Sequence, residues 1–277
     1  MIRKAAFFIF IGLFSLISTV FAEIPNHPLI EKAKQGRMPH VQYALANGTQ
    51  VSLTSDGKSY YILWLPEGSN FDNLPPIVVT MHGHDGYAFE DFYVWHHFLK
   101  EKGYGLLAIQ WWLGKGEAIN DYLPPNEIYR VIDEVFRTLR VKPGRAMLHG
   151  FSRGSANIYA VAALDRSTKN NYFALYIANA GKASLDYPPT REIEEGRFGN
   201  KPFTGSRWVT FAGGKDPNPG RSGVSGMRET ADWIRSRGGS VDLAIEDPDA
   251  GHGGFHQNPK NTNAALDIFE KLRLKGE

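Results

Sequence analysis

The chain has 277 residues, a formal net charge of +2 and no cysteine. The nearly balanced charge gives no indication of a nucleic-acid partner or of binding to an anionic membrane surface. The lack of cysteine excludes disulfides and a lipid-modified N-terminal cysteine.

Residues 1–22 have the pattern of a secretory signal peptide. Arg3 and Lys4 precede a long apolar run that ends in small residues, with Val20 and Ala22 at the positions that a signal peptidase reads. We therefore expect cleavage after Ala22 and a protein that acts outside the cytoplasm, either secreted or periplasmic, with no stable membrane association. The alternative is an uncleaved anchor, because the run reaches a spanning length of about 18 residues.

The rest of the chain is expected to form one catalytic domain over residues 41–277. The polar, proline-punctuated residues 23–40 are expected to lie across its surface. Two early stretches, 41–48 and 58–66, are interpreted as antiparallel strands at the start of the sheet. Six short apolar runs predict buried strands: 76–81, 105–112, 145–150, 172–180, 207–214 and 241–247.

Helical patterns separate these predicted strands. The clearest places Ile128, Val131, Ile132, Val135, Phe136 and Leu139 on one helix face. Similar patterns begin near residue 89 and near residue 265. This alternation predicts an α/β fold with a mostly parallel, eight-stranded sheet and helices on both faces. In such sheets, reactive loops leave the carboxyl ends of the strands.

The most informative motif is the G-x-S-x-G sequence from Gly150 to Gly154, between a predicted strand and a predicted helix. In isolation the pattern could be an ordinary glycine turn. In its strand–turn–helix setting it predicts a nucleophile elbow, in which a strained turn exposes the hydroxyl of Ser152. The two glycines are expected where a Cβ would clash with neighbouring backbone.

The partners of a serine nucleophile are predicted further along the chain. Asp216 follows one predicted strand and His252 follows the next, which gives the order Ser, acid, His. His252 would take the proton of Ser152, and Asp216 would orient the imidazole. The competing candidates are Asp247 and Asp249 for the acid, and His256 for the base.

With these motifs in place, the chain resembles the α/β-hydrolase superfamily over about residues 40–275. The resemblance rests on "MHGHDG", "GFSRGS", "GGKD" and "GHGGF". It implies an oxyanion hole formed by the backbone N–H of Arg153 and that of Gly83 or His84. The layout is similar to small secreted esterases of the feruloyl-esterase and polyhydroxybutyrate-depolymerase type. The "DAGHGG" segment also resembles the histidine loop of prolyl-oligopeptidase-type peptidases.

The histidine-rich stretch near residue 82 could instead indicate a metal site. His82, His84 and Asp85 lie on one short loop, but a zinc site needs further converging ligands. His96 and His97 are neighbours on a predicted helix, so their side chains are expected to point in different directions. We therefore expect no metal and no cofactor, with the double histidine serving as the oxyanion loop.

The sequence says less about the substrate. The cap, residues 182–206, is short and polar, which favours an esterase over a lipase with an apolar lid. His84, Trp111, Trp112 and Arg153 are candidates to line the substrate site, although the tryptophans could pack in the core and Arg153 could form a surface salt bridge. The predicted function is a serine carboxylic-ester hydrolase for small-molecule or polymer-borne esters. The alternatives are a peptidase or amidase, a non-catalytic hydrolase-fold binding protein and a metal hydrolase.

Overall fold

The computed structural model describes residues 24–70 and 72–274. Its strands are β1 (Gln50–Leu53), β2 (Tyr60–Trp64), β3 (Ile77–Met81), β4 (Gly105–Ile109), β5 (Ala146–Phe151), β6 (Phe173–Asn179), β7 (Arg207–Gly213) and β8 (Ser240–Asp247). Its helices are α1 (Pro28–Ala46), α2 (Ala88–Lys102), α3 (Pro125–Leu139), α4 (Arg153–Thr168), α5 (Pro188–Glu194), α6 (Val224–Ser236), α7 (Gly254–Gln257) and α8 (Pro259–Arg273).

All eight strands form one sheet in the order β1-β2-β4-β3-β5-β6-β7-β8. The first two strands pair antiparallel with each other, and β2 pairs antiparallel with β4. The remaining neighbours are parallel. The chain moves from β3 to β4 on one side and then returns to β5 on the other, so the strand order reverses at β3. The loops after β3 and β5 therefore diverge and leave a crevice at the carboxyl ends of the strands.

Helices cover both faces of this sheet, as predicted. Successive residues of a strand point to opposite faces. On β5, the ring of His149 lies 5.0 Å from that of Trp95 on α2. The next residue, Gly150, lies against Ile158 on α4. Helices α2 and α4 therefore pack on opposite faces, and the central strands are buried between them.

The six predicted strands are confirmed, with ends that move by a few residues. Burial was predicted wrongly for the last of them, because β8 is an edge strand whose residues are half-buried or exposed. Strands β3 and β4 are fully buried along their length. Helix α3 begins at Pro125, where the missing N–H of proline costs no helical hydrogen bond. It ends at Leu139, four residues before Pro143. The helices predicted near residues 89 and 265 are α2 and α8.

The N-terminal part of the described chain differs from the prediction. Residues 28–46 form helix α1, which packs Leu29, Ile30 and Ala33 into the core instead of lying across the surface. The predicted strand at 41–48 is mostly the last part of this helix, and β1 starts only at residue 50. The interpretation failed because the prolines and polar residues of this segment suggested an irregular surface course. The helix instead bends at Arg37 and continues beyond Pro39.

The predicted signal peptide, residues 1–22, lies outside the described residues. Within residues 24–70 and 72–274, no helix has the length and apolar character needed to cross a membrane.

Candidate active site

Ser152 occupies the sharp turn between β5 and α4. Its backbone has φ 54° and ψ −115°, a left-handed conformation that is strained for a residue with a side chain. The turn is held by the N–H of Ser152, which donates to the Asn179 carbonyl at 2.8 Å. A Cβ on Gly150 would lie 2.5 Å from the Gly154 carbonyl oxygen, and one on Gly154 would lie 2.3 Å from that of Met81. Both predicted glycine positions therefore have no room for a side chain.

A chain of hydrogen bonds connects Ser152 to the two residues predicted as its partners. The Oγ atom of Ser152 lies 2.9 Å from Nε2 of His252, and Nδ1 of the same imidazole lies 2.7 Å from Oδ2 of Asp216. These residues come from the ends of β5, β7 and β8 and are separated by up to 100 residues in sequence. The fold thus brings the three predicted side chains together at one edge of the sheet.

Asp216 is held in place by further hydrogen bonds. Its Oδ1 accepts from the backbone N–H of Asn218 and from the hydroxyl of Ser222, both at 2.9 Å. Burial alone would raise its pKa, but the bonds from Asn218, His252 and Ser222 outweigh burial and keep the pKa below its ordinary value. An ionised carboxylate only accepts hydrogen bonds, so Nδ1 of His252 carries the proton and Nε2 is free to accept from Ser152.

Close backbone packing joins the loops that carry Asp216 and His252. A Cβ on Gly213, at the end of β7, would lie 2.3 Å from the Gly251 carbonyl oxygen. The N–H of Lys215 also donates to the Ala250 carbonyl at 2.9 Å. The carboxylate and the imidazole are therefore positioned against each other by main-chain contacts as well as by their own hydrogen bond.

The competing candidates for the acid, Asp247 and Asp249, have partners other than His252. Asp247 accepts from the side chains of Asn258 and Asn261, and Asp249 is 89% exposed in an ion pair with Lys215.

His256 is the alternative base, and its ring packs against Trp95 and His149. Its Nε2 atom is buried without a hydrogen-bond partner in the described structure. Burial, reinforced by the charge of His97, lowers its pKa to about 3. His256 therefore borders the aromatic cavity as a neutral, closely packed side chain, and Ser152 bonds His252 instead.

The residues expected to form an oxyanion hole lie beside Ser152. Arg153 is the first residue of α4, so its N–H has no acceptor within the helix and lies at the positive end of the helix dipole. Gly83 follows β3, and a Cβ built on it would lie 3.1 Å from the Phe151 ring and 3.4 Å from Cβ of Ser152. The next residue, His84, contributes a 40% exposed side chain that lies 3.6 Å from both Asp85 and Glu117.

Two cavities meet at Ser152 and His252. The first, the cationic cavity, has a volume of about 880 Å³ and is bordered by the charged side chains of Arg153, Lys182, Arg221, Glu117 and Asp186. The second, the aromatic cavity, has a volume of about 700 Å³, and its lining includes Tyr43, Tyr93 and Phe151. His84 borders both cavities. The nucleophile is therefore accessible to substrate groups on two sides.

The prediction that Trp111 or Trp112 lines the substrate site is wrong. Trp111 has no exposed surface, and its indole N–H donates to the His82 carbonyl at 3.0 Å. Trp112 is 8% exposed, and its indole N–H donates to the Gly116 carbonyl. Both rings are buried after β4, and each N–H finds a backbone acceptor, that of Trp111 in the core and that of Trp112 in the exposed loop that follows.

The histidines that raised the question of a metal site are spread over different surroundings. His82 is buried, and its pKa is lowered to about 4 by burial. His96 is also buried and hydrogen-bonds the Tyr43 hydroxyl, whereas its neighbour His97 is exposed. Among residues 24–70 and 72–274, no three His, Cys, Asp or Glu side chains converge as metal ligands would.

Several site residues were missed by the sequence analysis. The bonds from Asn218 and Ser222 to Asp216 were not predicted, although D-P-N after a strand is a recognisable turn in which an aspartate caps its own loop. Tyr122, Tyr187 and Arg221 had no local signal, because only the folded loops bring them to the cleft.

Comparisons with known proteins agree with this architecture. No family model matches the chain, and no curated protein is significantly similar in sequence. A solved esterase structure from Rhizomucor miehei is similar with a TM-score of 0.64 at 15% identity, covering 92% of this chain and 94% of that one. An esterase from Pyrobaculum calidifontis gives 0.61 at 14% identity, covering 91% and 99%.

The acylaminoacyl peptidase of Pyrococcus horikoshii is also similar, with a TM-score of 0.57 at 12% identity. The match covers 81% of this chain but only 41% of the peptidase. At these identities the similarity concerns the fold. The strand order, the strained turn at Ser152 and these neighbours together show that the chain has the fold of the α/β-hydrolase superfamily.

Proposed function

We propose that this protein is a serine hydrolase that cleaves carboxylic esters through an acyl-enzyme intermediate. The observation that carries the proposal is the continuous hydrogen-bonded chain Ser152–His252–Asp216 at the mouth of two cavities. The proposal is also supported by the esterase structures that have the same fold. A binding protein would need no such constellation.

The geometry suggests a role for each residue. Ser152 attacks the acyl carbonyl while Nε2 of His252 takes its proton, and the resulting imidazolium is stabilised by the Asp216 carboxylate. His252 then returns the proton to the leaving alcohol, which departs and leaves an acyl-Ser152 ester. Water, deprotonated by the same imidazole, hydrolyses that ester and releases the acid.

The negative charge of the tetrahedral intermediate would be stabilised by backbone N–H groups. We assign one donor to Arg153, at the start of α4, and the second to Gly83 or His84, on the loop after β3. Loss of one such donor typically reduces turnover by about 10²–10³-fold. The proposed reaction needs no cofactor.

We further propose that the enzyme acts outside the cytoplasm on small-molecule or polymer-borne esters. The signal-peptide pattern of residues 1–22 supports the location. The cap, residues 182–206, supports the substrate class, because its only secondary-structure element is the short helix α5. A short cap leaves both cavities accessible to a bulky substrate. Secretion is tested by the N-terminal sequence of the protein recovered from an export-competent host, which is expected to begin at Glu23.

The experiment that tests the activity compares matched esters and amides. 4-Nitrophenyl esters of increasing acyl length, feruloyl esters and peptide 4-nitroanilides are assayed with the wild type and with Ser152→Ala. We expect ester turnover that disappears in Ser152→Ala and amide turnover that is far slower. Faster hydrolysis of the anilides would favour the peptidase, a function supported by the similarity to an acylaminoacyl peptidase.

The same assay separates the remaining alternatives. A metal hydrolase would lose activity in a chelator and would retain it in Ser152→Ala. A non-catalytic binding protein would show no Ser152-dependent turnover of any ester in the panel.

A further inference from the structure

The cationic cavity contains positive charge that the proposed chemistry does not use. Three basic side chains border it, Arg153, Lys182 and Arg221, together with the acidic Glu117 and Asp186. Lys182 already forms an ion pair with Glu229. Of the other two cations, neither has a carboxylate within 4.0 Å in the described part of the chain.

This situation distinguishes the two cleft arginines from most others in the protein. Elsewhere, nine arginine side chains reach a carboxylate within 4.0 Å: Arg37, Arg130, Arg137, Arg197, Arg207, Arg228, Arg235, Arg237 and Arg273. Arg166 instead donates to the Thr204 carbonyl. A guanidinium that is partly removed from water without an opposite charge is unfavourable unless something else compensates it. Arg153 and Arg221 are among the arginines outside this set, and both border the cleft that contains the nucleophile.

Arg153 is held in a defined position by aromatic rings. Its guanidinium carbon lies 4.0 Å from the centroid of the Tyr122 ring, a cation–π arrangement. Arg153 also interacts with Tyr187: burial raises the pKa of Tyr187 to about 12, whereas the charge of Arg153 and a hydrogen bond from its side chain oppose that rise. Contact with the Tyr122 ring face and one hydrogen bond to Tyr187 leave the guanidinium with further N–H groups that can donate, and such groups match a carboxylate or phosphate.

Arg221 is exposed, but its backbone is anchored to the site. Its carbonyl accepts from the N–H of Lys182 at 3.0 Å, and its own N–H donates to the Asn218 carbonyl at 3.0 Å. Asn218 also donates to Asp216. The second guanidinium therefore extends from the same loop that carries the proposed catalytic acid.

The acidic side chains of the cavity do not neutralise these arginines. The Glu117 side chain is 79% exposed and lies closest to His84, at 3.6 Å. Asp186 is also exposed. Charges at such positions are screened by solvent and salt. Arg153 lies deeper, directly after Ser152, where a bound substrate would exclude water.

We propose that the cationic cavity recognises an anionic group of the substrate ester, so that the preferred substrate carries a carboxylate or phosphate on one side of the scissile bond. Arg153 provides the main contact, and Arg221 adds a weaker one at the rim. This inference rests on the proposed esterase function. The carboxylate or phosphate of the substrate belongs either to the acyl half or to the alcohol half of the ester, and each half needs its own test.

The test uses two pairs of esters that differ in charge. For the acyl half, 4-nitrophenyl hydrogen adipate is compared with 4-nitrophenyl hexanoate. For the alcohol half, 4-carboxyphenyl butyrate is compared with its methyl ester. Each is assayed with the wild type, Arg153→Gln and Arg221→Gln, and kcat/KM of each variant is divided by that of the wild type, which cancels the intrinsic reactivity of the ester.

In one of the two pairs, we expect Arg153→Gln to lower kcat/KM for the anionic ester about tenfold more than for the neutral one, because a charge-assisted contact is lost. Arg221→Gln should produce a smaller selective loss of about threefold. Arg235→Gln is the control: this exposed arginine of α6 pairs with Asp232 and borders neither cavity. It should show no charge selectivity.

A loss that is equal for charged and neutral esters in both pairs would overturn the inference, since Arg153 would then have only a structural role. The same pairs are titrated calorimetrically against Ser152→Ala, which measures binding whether or not the protein turns esters over. Failure of the proposed function appears separately, as neutral esters that show no Ser152-dependent turnover. Equal binding of charged and neutral ligands would overturn the anion site in either case.

Discussion

The loop after β8 carries two histidines, four residues apart, in opposite environments. His252 faces the cleft and makes a hydrogen bond with each ring nitrogen, to Ser152 and to Asp216. His256 borders the aromatic cavity, but Trp95 and His149 pack around its ring and its Nε2 has no partner among the described residues. The same side chain is thus a candidate proton carrier at one position and a packing element at the other.

This difference shows that the chemical role of each histidine depends on the group that it contacts at the end of β5. His256 lies within the helical turn α7, which begins two residues after His252, so the two rings approach different parts of the end of β5. One side of that strand end presents the hydroxyl of Ser152, and the other presents the buried ring of His149. Substitutions in and around His252 and His256 should therefore differ widely in their effect on turnover.

The largest effect is expected for His252→Ala. Removal of the proposed base should lower kcat about 10⁶-fold, as when a serine hydrolase loses a member of its triad. The matched variant His256→Ala should retain kcat within about tenfold and should instead lower the melting temperature, because it leaves a cavity beside Trp95. Steady-state kinetics on a nitrophenyl ester and thermal unfolding measure both; the opposite pattern would assign the base to His256.

The next effect concerns the two aspartates that flank this loop. Asp216→Asn should lower kcat about 10⁴-fold with little loss of fold, because an amide favours the wrong tautomer of His252. Asp247→Asn is the control, since Asp247 bonds Asn258 and Asn261 away from the cleft. Near wild-type rates in Asp216→Asn, measured on the same ester, would remove this residue from the mechanism.

A smaller effect is expected from Ser222→Ala. The hydroxyl of Ser222 is one of the donors that position the carboxylate of Asp216 and keep its pKa low. Its loss should lower kcat about three- to tenfold, and KM for a neutral ester should change little. The acidic limb of the kcat–pH profile should also move, and an unchanged profile would show that Ser222 does not tune the site.

The smallest effect concerns acid stability. The pKa of His256 falls from its ordinary 6.5 to about 3 in the folded protein. Between these values the unfolded chain binds a proton that the folded chain does not, so stability decreases as pH falls from about 6.5 toward 3. His256→Phe should reduce the slope of the urea midpoint between pH 7 and 4. An equal slope in both proteins would mean that this histidine titrates normally.

Much of the fold and of the candidate site was predictable from the sequence. The central strands are continuous apolar runs, a signature of strands buried on both faces, and Gly150 and Gly154 are required by backbone contacts on either side of Ser152. The order of Ser152, Asp216 and His252 along the chain then identified side chains that the fold brings within hydrogen-bonding distance.

The prediction failed where the decisive contacts are non-local. The polar, proline-punctuated residues 23–40 were expected to lie across the surface, yet α1 bends at Arg37, continues through Pro39 and packs its apolar residues into the core. Trp111 and Trp112 follow a strand end, but both rings are buried, with the Trp111 N–H bonded to the His82 carbonyl and the Trp112 N–H to the Gly116 carbonyl. Arg221 lies in a glycine-rich loop whose sequence gives no indication of the cavity it borders.

The central claim is that His252, rather than His256, activates Ser152, and active-site phosphonylation tests it most directly. A fluorophosphonate probe is added to the wild type, His252→Ala and His256→Ala, and the rate and position of modification are determined by mass spectrometry. We predict a single adduct on Ser152, formed rapidly in the wild type and in His256→Ala and at least about 10³-fold more slowly in His252→Ala. Equal labelling rates in the two histidine variants, or an adduct on another residue, would contradict the account.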